Sequence, residues 1–543
     1  MWVSFAIVAI FCLSLIVVLQ KTYIPDRSFD DYAVGGRSFG SFFQGMAFLN
    51  TWWPGGLILS LTGMAATQGT LAFFMPVYSL LTVLLMMLIG RRVWYWGMKH
   101  DLRTQSDMLR LRYGSRGLSV IMSVVTVVSV IPWLVLGLKG LGTLFSALTY
   151  GYLSTAQSVL SAVVIILLRQ IWTVRMGMRG LVISDLYQGC VAYIGGTLLI
   201  IGAIIWLLIH GGFTFEHIRA HAAPVQGRPL YFASLVVAGT LGGWCWPPIF
   251  VRLYTADNAH SVMKAGVIGA PVSLVFSLLL IFMGYLAGRM PSFAHSGDMI
   301  WYDVFKNMQG NVLLGFAATV ILAASMGNVD GNIQSIGTQI SNDIIGVYQD
   351  LNYKKSIIYA KIAMGLVTLF AAFLACFDIQ HLSDLAILAY QAILQVSVVI
   401  YGGLWWRRGN ATGAIMGMGA GFVTAVLLEL YGQGILNQMG GVTSGIVALL
   451  VNITIYILCG LFLPQDRAEC ARITGLFEQT ISRQPSRYRA SAYGLMVCNV
   501  VIALVPVNNI SFVANDIYIS NFYYFFLCLS VMVNIFLFYV SEK

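Results

Sequence analysis

The chain has 543 residues, of which 58% are hydrophobic and only 10% charged, with a mean hydropathy of +0.81. A soluble domain carries about 25% charged residues, so that class is excluded in favour of a polytopic, all-α membrane protein. The net charge of +10 would suit an anionic partner, but most Lys and Arg fall in alternate loops, as the positive-inside rule requires, and no nucleic-acid partner is expected.

Residues 1–20 are apolar and lack a basic leading segment, and Lys21 and Arg27 follow them. This pattern predicts a retained first helix with its N-terminus outside rather than a cleaved signal peptide. Apolar runs of roughly 20 residues, each able to cross a bilayer core of about 30 Å, predict fifteen spans. They lie near 2–20, 41–68, 72–95, 117–147, 153–170, 180–209, 230–255, 262–287, 312–342, 356–376, 382–405, 411–431, 441–463, 490–507 and 518–540. Basic residues mark the loop after the third span, "RQIWTVRMGMRG", "NYKKS", "WWRRGN" and 464–489. All fall on one side, and the C-terminus "SEK" lies there too, in the cytoplasm. Residues 1–463 read as one transmembrane domain, 464–489 as a cytoplasmic linker, and 490–543 as two additional helices. The eight cysteines are scattered without a CxxC pair, which suggests neither a metal site nor a disulfide framework. No GxxxxGK[ST] loop is present to cradle nucleotide phosphates, so an enzyme or ATP-driven pump is not expected, no cofactor is implied, and energy for transport would come from a gradient.

Two spans carry helix-breaking residues beside tryptophans: "NTWWPGG" (50–56) and "GGWCWPPIF" (242–250). Proline removes a backbone donor and glycine permits unwinding. Broken backbone at membrane depth is tolerated only where it lines a cavity or is buried in protein. The two breaks lie five spans apart, and each opens one set of five once the first span is set aside. Interrupted helices at corresponding places in two halves point to a secondary transporter built from inverted repeats.

Four motifs in order carry a family resemblance: "DDYAVGGRSFGSF" (30–42), "MRGLVISDLYQG" (178–189), "GGWCWPPIFVRLYTADNAHS" (242–261) and "GGLWWRRGNATGAIMGMGAG" (402–421). Over roughly residues 5–463 the chain resembles the sodium:solute symporter family. The resemblance implies a leucine-transporter-like 5+5 inverted-repeat core at about 41–405, with one extra N-terminal helix and about four extra C-terminal ones. It implies sodium between the first break and the middle of core helix eight, held by backbone carbonyls and two hydroxyls. Laid on that pattern, "AASMGNVDGN" (323–332) puts Gly327 and Asn328 at the hydroxyl positions and Ala324, Asn50 and Trp53 at the carbonyl positions. Gly327 offers no side-chain oxygen, whereas the amide oxygen of Asn328 replaces one hydroxyl. A second sodium position, where it occurs in the family, would fall at Asp330, Gly331 and Asp185.

Burying a carboxylate at membrane depth costs at least about 2.5–3.5 kcal/mol, so Asp330 is expected to act as a cation or proton site. Asp185 and Asp330 approaching in low dielectric would share a proton or bind a cation. The plainer readings make Asp330 hydrogen-bonded glue and Asp185 a partner of Arg179. Lys139 either pairs with a substrate carboxylate or snorkels to the outer interface, the second reading being slightly favoured. Trp53, Gly55, Lys139, Trp246 and Pro247 are the expected solute-lining residues, the tryptophans offering stacking or cation–π contact. The expected function is cation-coupled symport of a small organic solute across the plasma membrane, with sodium as the ion and membrane lipid as the surroundings. Two rivals stay open: proton coupling through Asp330 and Asp185, and a solute sensor without net flux, signalling through a membrane or signalling partner at 490–540.

Overall fold

The computed structural model describes residues 2–23, 29–211, 230–293, 296–349, 351–377, 382–478, 487–504 and 517–542. Helices dominate these residues because a chain in hydrocarbon must satisfy its backbone N–H and C=O groups within itself. In chain order the longer ones are α1 (Trp2–Lys21), α2 (Ser41–Trp52), α3 (Gly55–Gln68), α4 (Phe74–Lys99), α5 (Gln105–Tyr113), α6 (Arg116–Leu148), α7 (Thr155–Gly189) and α8 (Gly196–His210). After the undescribed segment 212–229 come α9 (Tyr231–Gly242), α10 (Pro247–Thr255), α11 (Ala259–Ala287), α12 (Asn311–Gln339), α13 (Tyr353–Ala375), α14 (Leu382–Ile393) and α15 (Gln395–Trp405). The remainder are α16 (Ala411–Tyr431), α17 (Ser444–Phe462), α18 (Arg467–Glu478), α19 (Arg487–Leu504) and α20 (Ile517–Glu542).

Ten helices among the described residues are long and apolar enough to cross a membrane, or twelve if each of two sharply bent pairs is one span. The sequence expectation was fifteen. The difference lies in how helices join and how long they are. Gly55–Lys99 runs as 45 helical residues, more than twice the roughly 20 needed for one crossing. Thr155–Leu168 and Arg489–Leu504 are apolar but short.

Both sequence-read breaks are present. The first unwinds at Trp53 (φ −112°, ψ 73°) and Pro54 (φ −64°, ψ 153°) between α2 and α3. The second passes through a 3-10 turn, Gly243–Cys245, to an extended Trp246, and Pro247 opens α10 after a 51° bend. Proline suits that first helical position because its missing N–H would be unbonded there anyway. A third bend of 43° separates α14 from α15 without a proline or glycine in "AYQAILQ", and the sequence did not foretell it. The basic segment read as a loop between the fifth and sixth spans is helical and kinked at Gly177 (φ 60°, ψ −147°), where a Cβ would press on Tyr32 O at 2.5 Å. A π turn, Cys190–Gly195, links α7 to α8, and another, Ile340–Ile345, follows α12.

Helix α12 is among the most enclosed: 83% of its most apolar stretch is buried, with 89% for the stretch through α3 and α4, against 28% for α1 and for α13. Small residues let backbones meet around it. A Cβ on Gly140 of α6 would sit 2.8 Å from Gly56 Cα, and one on Gly55 would strike Ser325 Oγ of α12. Part of the stretch read as a linker, 464–489, folds as α18, and residues 479–486 lie outside the described residues. The last two helices dock on the body of the protein. Tyr524 of α20 stacks on Phe232 of α9 (4.4 Å) and Phe73 (5.9 Å), while the Tyr539 hydroxyl and His260 Nε2 of α11 lie 3.2 Å apart.

Candidate ion and solute site at the helix breaks

The unwound turn between α2 and α3 releases carbonyls that need donors. Trp53 O is one of them, and the Tyr193 hydroxyl reaches it at 3.3 Å while donating at 2.6 Å to Leu49 O, which also keeps its helical partner Trp53 N at 2.9 Å. Asn328 Nδ2 of α12 donates to Thr51 O at 2.8 Å. The two breaks touch: a Cβ on Gly243 would lie 2.5 Å from the Trp52 ring, and Phe48 meets Trp244 edge-on at 5.5 Å. Trp244 Nε1 donates to Thr82 O at 2.8 Å, fixing the second break to α4.

A fully buried ion pair stands behind this junction. Arg252 Nη2 of α10 contacts Asp185 Oδ2 of α7 at 2.5 Å, and both side chains have 0% exposure. Asn50 Nδ2, at the edge of the first break, donates to the other carboxylate oxygen at 2.9 Å and reaches Gln188 Oε1 at 3.2 Å. One carboxylate thus joins α2, α7 and α10. It can do so because α12 carries glycine where it passes. A Cβ on Gly327 would coincide with Asn50 Nδ2 and stand 2.6 Å from Asp185 Oδ1, and one on Gly331 would be 3.6 Å from both terminal nitrogens of Arg252.

Two buried oxygens beside the first break, Asn50 Oδ1 and Ser325 Oγ (the latter against Gly55), have no hydrogen-bond partner among the described residues, nor has Asn332 Oδ1 further along α12. Buried polar atoms are nearly always satisfied, and unsatisfied oxygens are the ligands that hard cations take. Asn50 Oδ1 and Ser325 Oγ are therefore oxygens of the kind a hard cation takes.

The expected site residues distribute unevenly. Asn50, Asp185, Gly327 and Asn328 come together, but two of them act differently from the sequence expectation. Gly327 provides space for the Asn50–Asp185 hydrogen bond instead of a ligand. Asn328 turns its nitrogen toward the break, while its oxygen accepts from Asn332 Nδ2 at 3.1 Å. Arg252 is a charged partner of Asp185 that the sequence reading, which offered Asp330 or Arg179, did not name. Asp330 and Ala324 are buried in α12 at 1% and 0% exposure. Trp53 is fully buried, with Nε1 donating to Ser273 Oγ of α11 at 2.8 Å, so its ring is committed to helix packing. Gly55 acts by close approach to α12. Lys139 is 7% exposed, which corrects the favoured snorkelling reading: it lies beside Gly140, which abuts Gly56. Pro247 opens α10, and the Trp246 ring packs on Trp133 (5.0 Å) and Tyr390 (5.4 Å), with Nε1 unpartnered among the described residues. A cavity of about 50 Å³ lies between Phe48, Trp52, Ser79, Trp244 and Ser273 and is large enough for a few waters.

Sequence reasoning missed Arg252, Tyr193, Gln188, Trp133 and Tyr390. Arg252 stood in a quoted motif, eight residues after Trp244, and a charge at that depth was its signal. The aromatic residues carried none, because hydropathy does not separate a packing ring from one that braces a break.

The sodium:solute symporter family profile matches residues 32–421. An uncharacterized symporter, YhjB of Bacillus subtilis (strain 168), is 23% identical over 86% of this chain and 98% of its own length. The sodium/pantothenate symporter of Escherichia coli (strain K12) is 24% identical over 74% and 84%, and a monocarboxylate transport permease protein of Rhizobium johnstonii 21% over 84% and 96%. Among solved structures, a substrate-bound, outward-open Na+-coupled sialic acid symporter aligns with a TM-score of 0.70 at 15% identity, covering 86% of this chain and 98% of that one. Mhp1, a nucleobase-cation-symport-1 family transporter, aligns at 0.53 and 13% identity, covering 82% and 98%. The fold is shared with these transporters, and with the profile spanning most of its length the chain belongs to the sodium:solute symporter family.

Proposed function

We propose that the protein carries a small organic solute inward across the plasma membrane together with a cation, by alternating access around the two broken helices. The observation that carries this reading is the junction itself: two breaks in contact, with buried unpartnered oxygens and a buried carboxylate network beside them. Sodium is the ion favoured by family membership. The broken helices with α4 and α11 would rock against α6, α7 and α12, and the Asn50–Asp185–Arg252 links, which join the two groups, would re-form in each cycle. The fifteen crossings read from the sequence, with the N-terminus outside and the 5+5 repeat, complete this arrangement. A small carboxylate is the first solute to test, because Lys139 is a buried lysine beside the first break and the Rhizobium johnstonii relative is named for monocarboxylate transport.

Proton coupling is the second reading, favoured by the buried Asp330. Uptake of labelled pyruvate into proteoliposomes, under an inward sodium gradient or an inward proton gradient alone, separates the two. Thermal stability of wild type and Asp330→Asn in sodium against choline, at acid and neutral pH, locates the ion. Sodium stabilisation abolished by the substitution assigns Asp330 to a sodium site. A pH dependence that vanishes with it assigns protons. Stabilisation by a solute that is never accumulated would replace the transporter by a sensor.

A further inference from the structure

Arginines converge where α18 folds back against α4, α5 and the end of α15. The guanidinium carbons of Arg92, Arg112 and Arg407 stand 5.1, 5.8 and 5.3 Å from the centre of the Phe477 ring. A fourth, Arg472, lies against Gly114, the left-handed residue that ends α5 (φ 67°), where any Cβ would strike it. Among the described residues the carboxylate beside them is Glu469, which pairs with Arg472 Nη2 at 3.8 Å, too long for a hydrogen bond.

Part of this clustering has an internal cause. Arg112 Nε donates to Gly403 O at 2.9 Å, and its Nη2 to Trp406 O at 2.9 Å, with Arg407 O and Gly409 O at 3.2 and 3.3 Å. Arg92 donates to Leu404 O. Cations at the carbonyl end of a helix are favourable, so α15 accounts for these contacts. It does not account for the rest. Arg112 Nη1, on a side chain with 0% exposure, and Arg472 Nε and Nη2 are buried without an acceptor among the described residues. Burial, together with repulsion from Arg472, pulls the Arg112 pKa below its ordinary value against the opposing effect of Tyr113, Tyr456 and Glu469. Several guanidinium donors lacking oxygens, in a place with excess positive charge, describe a receptor for an oxyanion. A tetrahedral phosphate presents enough oxygens to meet forked donors from two directions at once. Arg407 is exposed and Phe477 half-buried, which leaves a way in.

We infer that the arginine cluster between α5, α18 and the turn 406–410 binds a phosphate group, carried by an anionic lipid headgroup or by a soluble phosphate. The site lies on the face that bears the basic loops, away from the helix breaks, and it does not rest on the transport reading. Its anion would tie α18 to α4, α5 and α15 where those helices end.

The test uses the purified full-length chain. Thermal unfolding is followed against inorganic phosphate, with chloride at matched ionic strength as control. It is repeated in nanodiscs of phosphatidylglycerol against phosphatidylcholine. The variants are Arg472→Gln and Arg407→Gln, the latter at an exposed side chain that donates to no backbone carbonyl among the described residues. Saturable stabilisation by phosphate, with an apparent Kd raised at least tenfold by R472Q and less by R407Q, assigns a soluble phosphate. Stabilisation only by phosphatidylglycerol, lost in the same variants, assigns the lipid phosphodiester. No response to either, or an undiminished response in both variants, overturns the inference.

Discussion

Replacing Arg252 by glutamine is the sharpest perturbation of the buried network. The side chain and its partner Asp185 are both fully buried, 2.5 Å apart, and the other carboxylate oxygen accepts from the neutral Asn50 amide. Removing one member of a buried pair leaves an uncompensated charge and costs about 3–5 kcal/mol. Polar contacts between membrane helices average only about 0.6 kcal/mol, so the two situations are distinguishable. Asp185→Asn should cost a similar amount, because Arg252 then keeps only Pro248 O, at 2.6 Å. The double variant restores neutrality and allows an amide–amide hydrogen bond, so it should be more stable than either single one. The measurement is equilibrium unfolding in mixed micelles of wild type, both single variants and the double. A coupling energy of about 2 kcal/mol or more is expected. A coupling at or below about 0.6 kcal/mol would refute the claim that the pair is a desolvated charge contact.

Other substitutions probe the break and its surroundings. Gly327→Ser should lower uptake more than tenfold despite normal expression, because its Cβ falls on Asn50 Nδ2; uptake per transporter in proteoliposomes checks this. Tyr193→Phe removes the donor to Leu49 O and Trp53 O and should cost about 1 kcal/mol, read as a lower unfolding midpoint. Gly140→Ala pushes a methyl against Gly56 Cα; overpacking of this kind costs about 1–3 kcal/mol, measurable by the same unfolding. Asn328→Asp replaces the donor to Thr51 O by an oxygen, leaving two oxygens face to face unless a cation bridges them. It should strengthen stabilisation by sodium, reaching about 2.7 kcal/mol at a hundred times Kd, as read from thermal shifts in sodium against choline.

The breaks at Trp53–Pro54 and Trp246–Pro247 were legible because proline and glycine change backbone preference wherever they occur. The bend between α14 and α15 was not, since nothing in "AYQAILQ" disfavours a straight helix and the bend is imposed by packing. Asp185, Asn328 and Asp330 could be singled out because polar atoms are expensive in hydrocarbon. Their partners could not, because the Asp185–Arg252 contact joins residues 67 positions apart and depends on how three helices cross. The same limit applied to Gly327: a missing side chain reads in sequence as a missing ligand, while in three dimensions it is room occupied by Asn50. The docking of α20 was equally hidden, as Tyr524 and Tyr539 look like ordinary interfacial aromatics until Phe232 and His260 are placed beside them.

The π turn at Cys190–Gly195 has a consequence for angular phase. Asp185 and Tyr193 both serve the first break, one through Asn50 and one through the released carbonyls. In an unbroken α-helix eight residues sweep about 800°, which would leave the two side chains about 80° apart. A π turn advances by a smaller angle per residue and cancels most of that offset, so both point at the same place. The extra residue works as a spacer between two gears: rewinding the π turn as regular α-helix at the same length would swing the hydroxyl about 80° away from the carboxylate, whereas deleting one residue between Asp185 and Tyr193 would bring them back to within about 20°, since seven residues sweep about 700°.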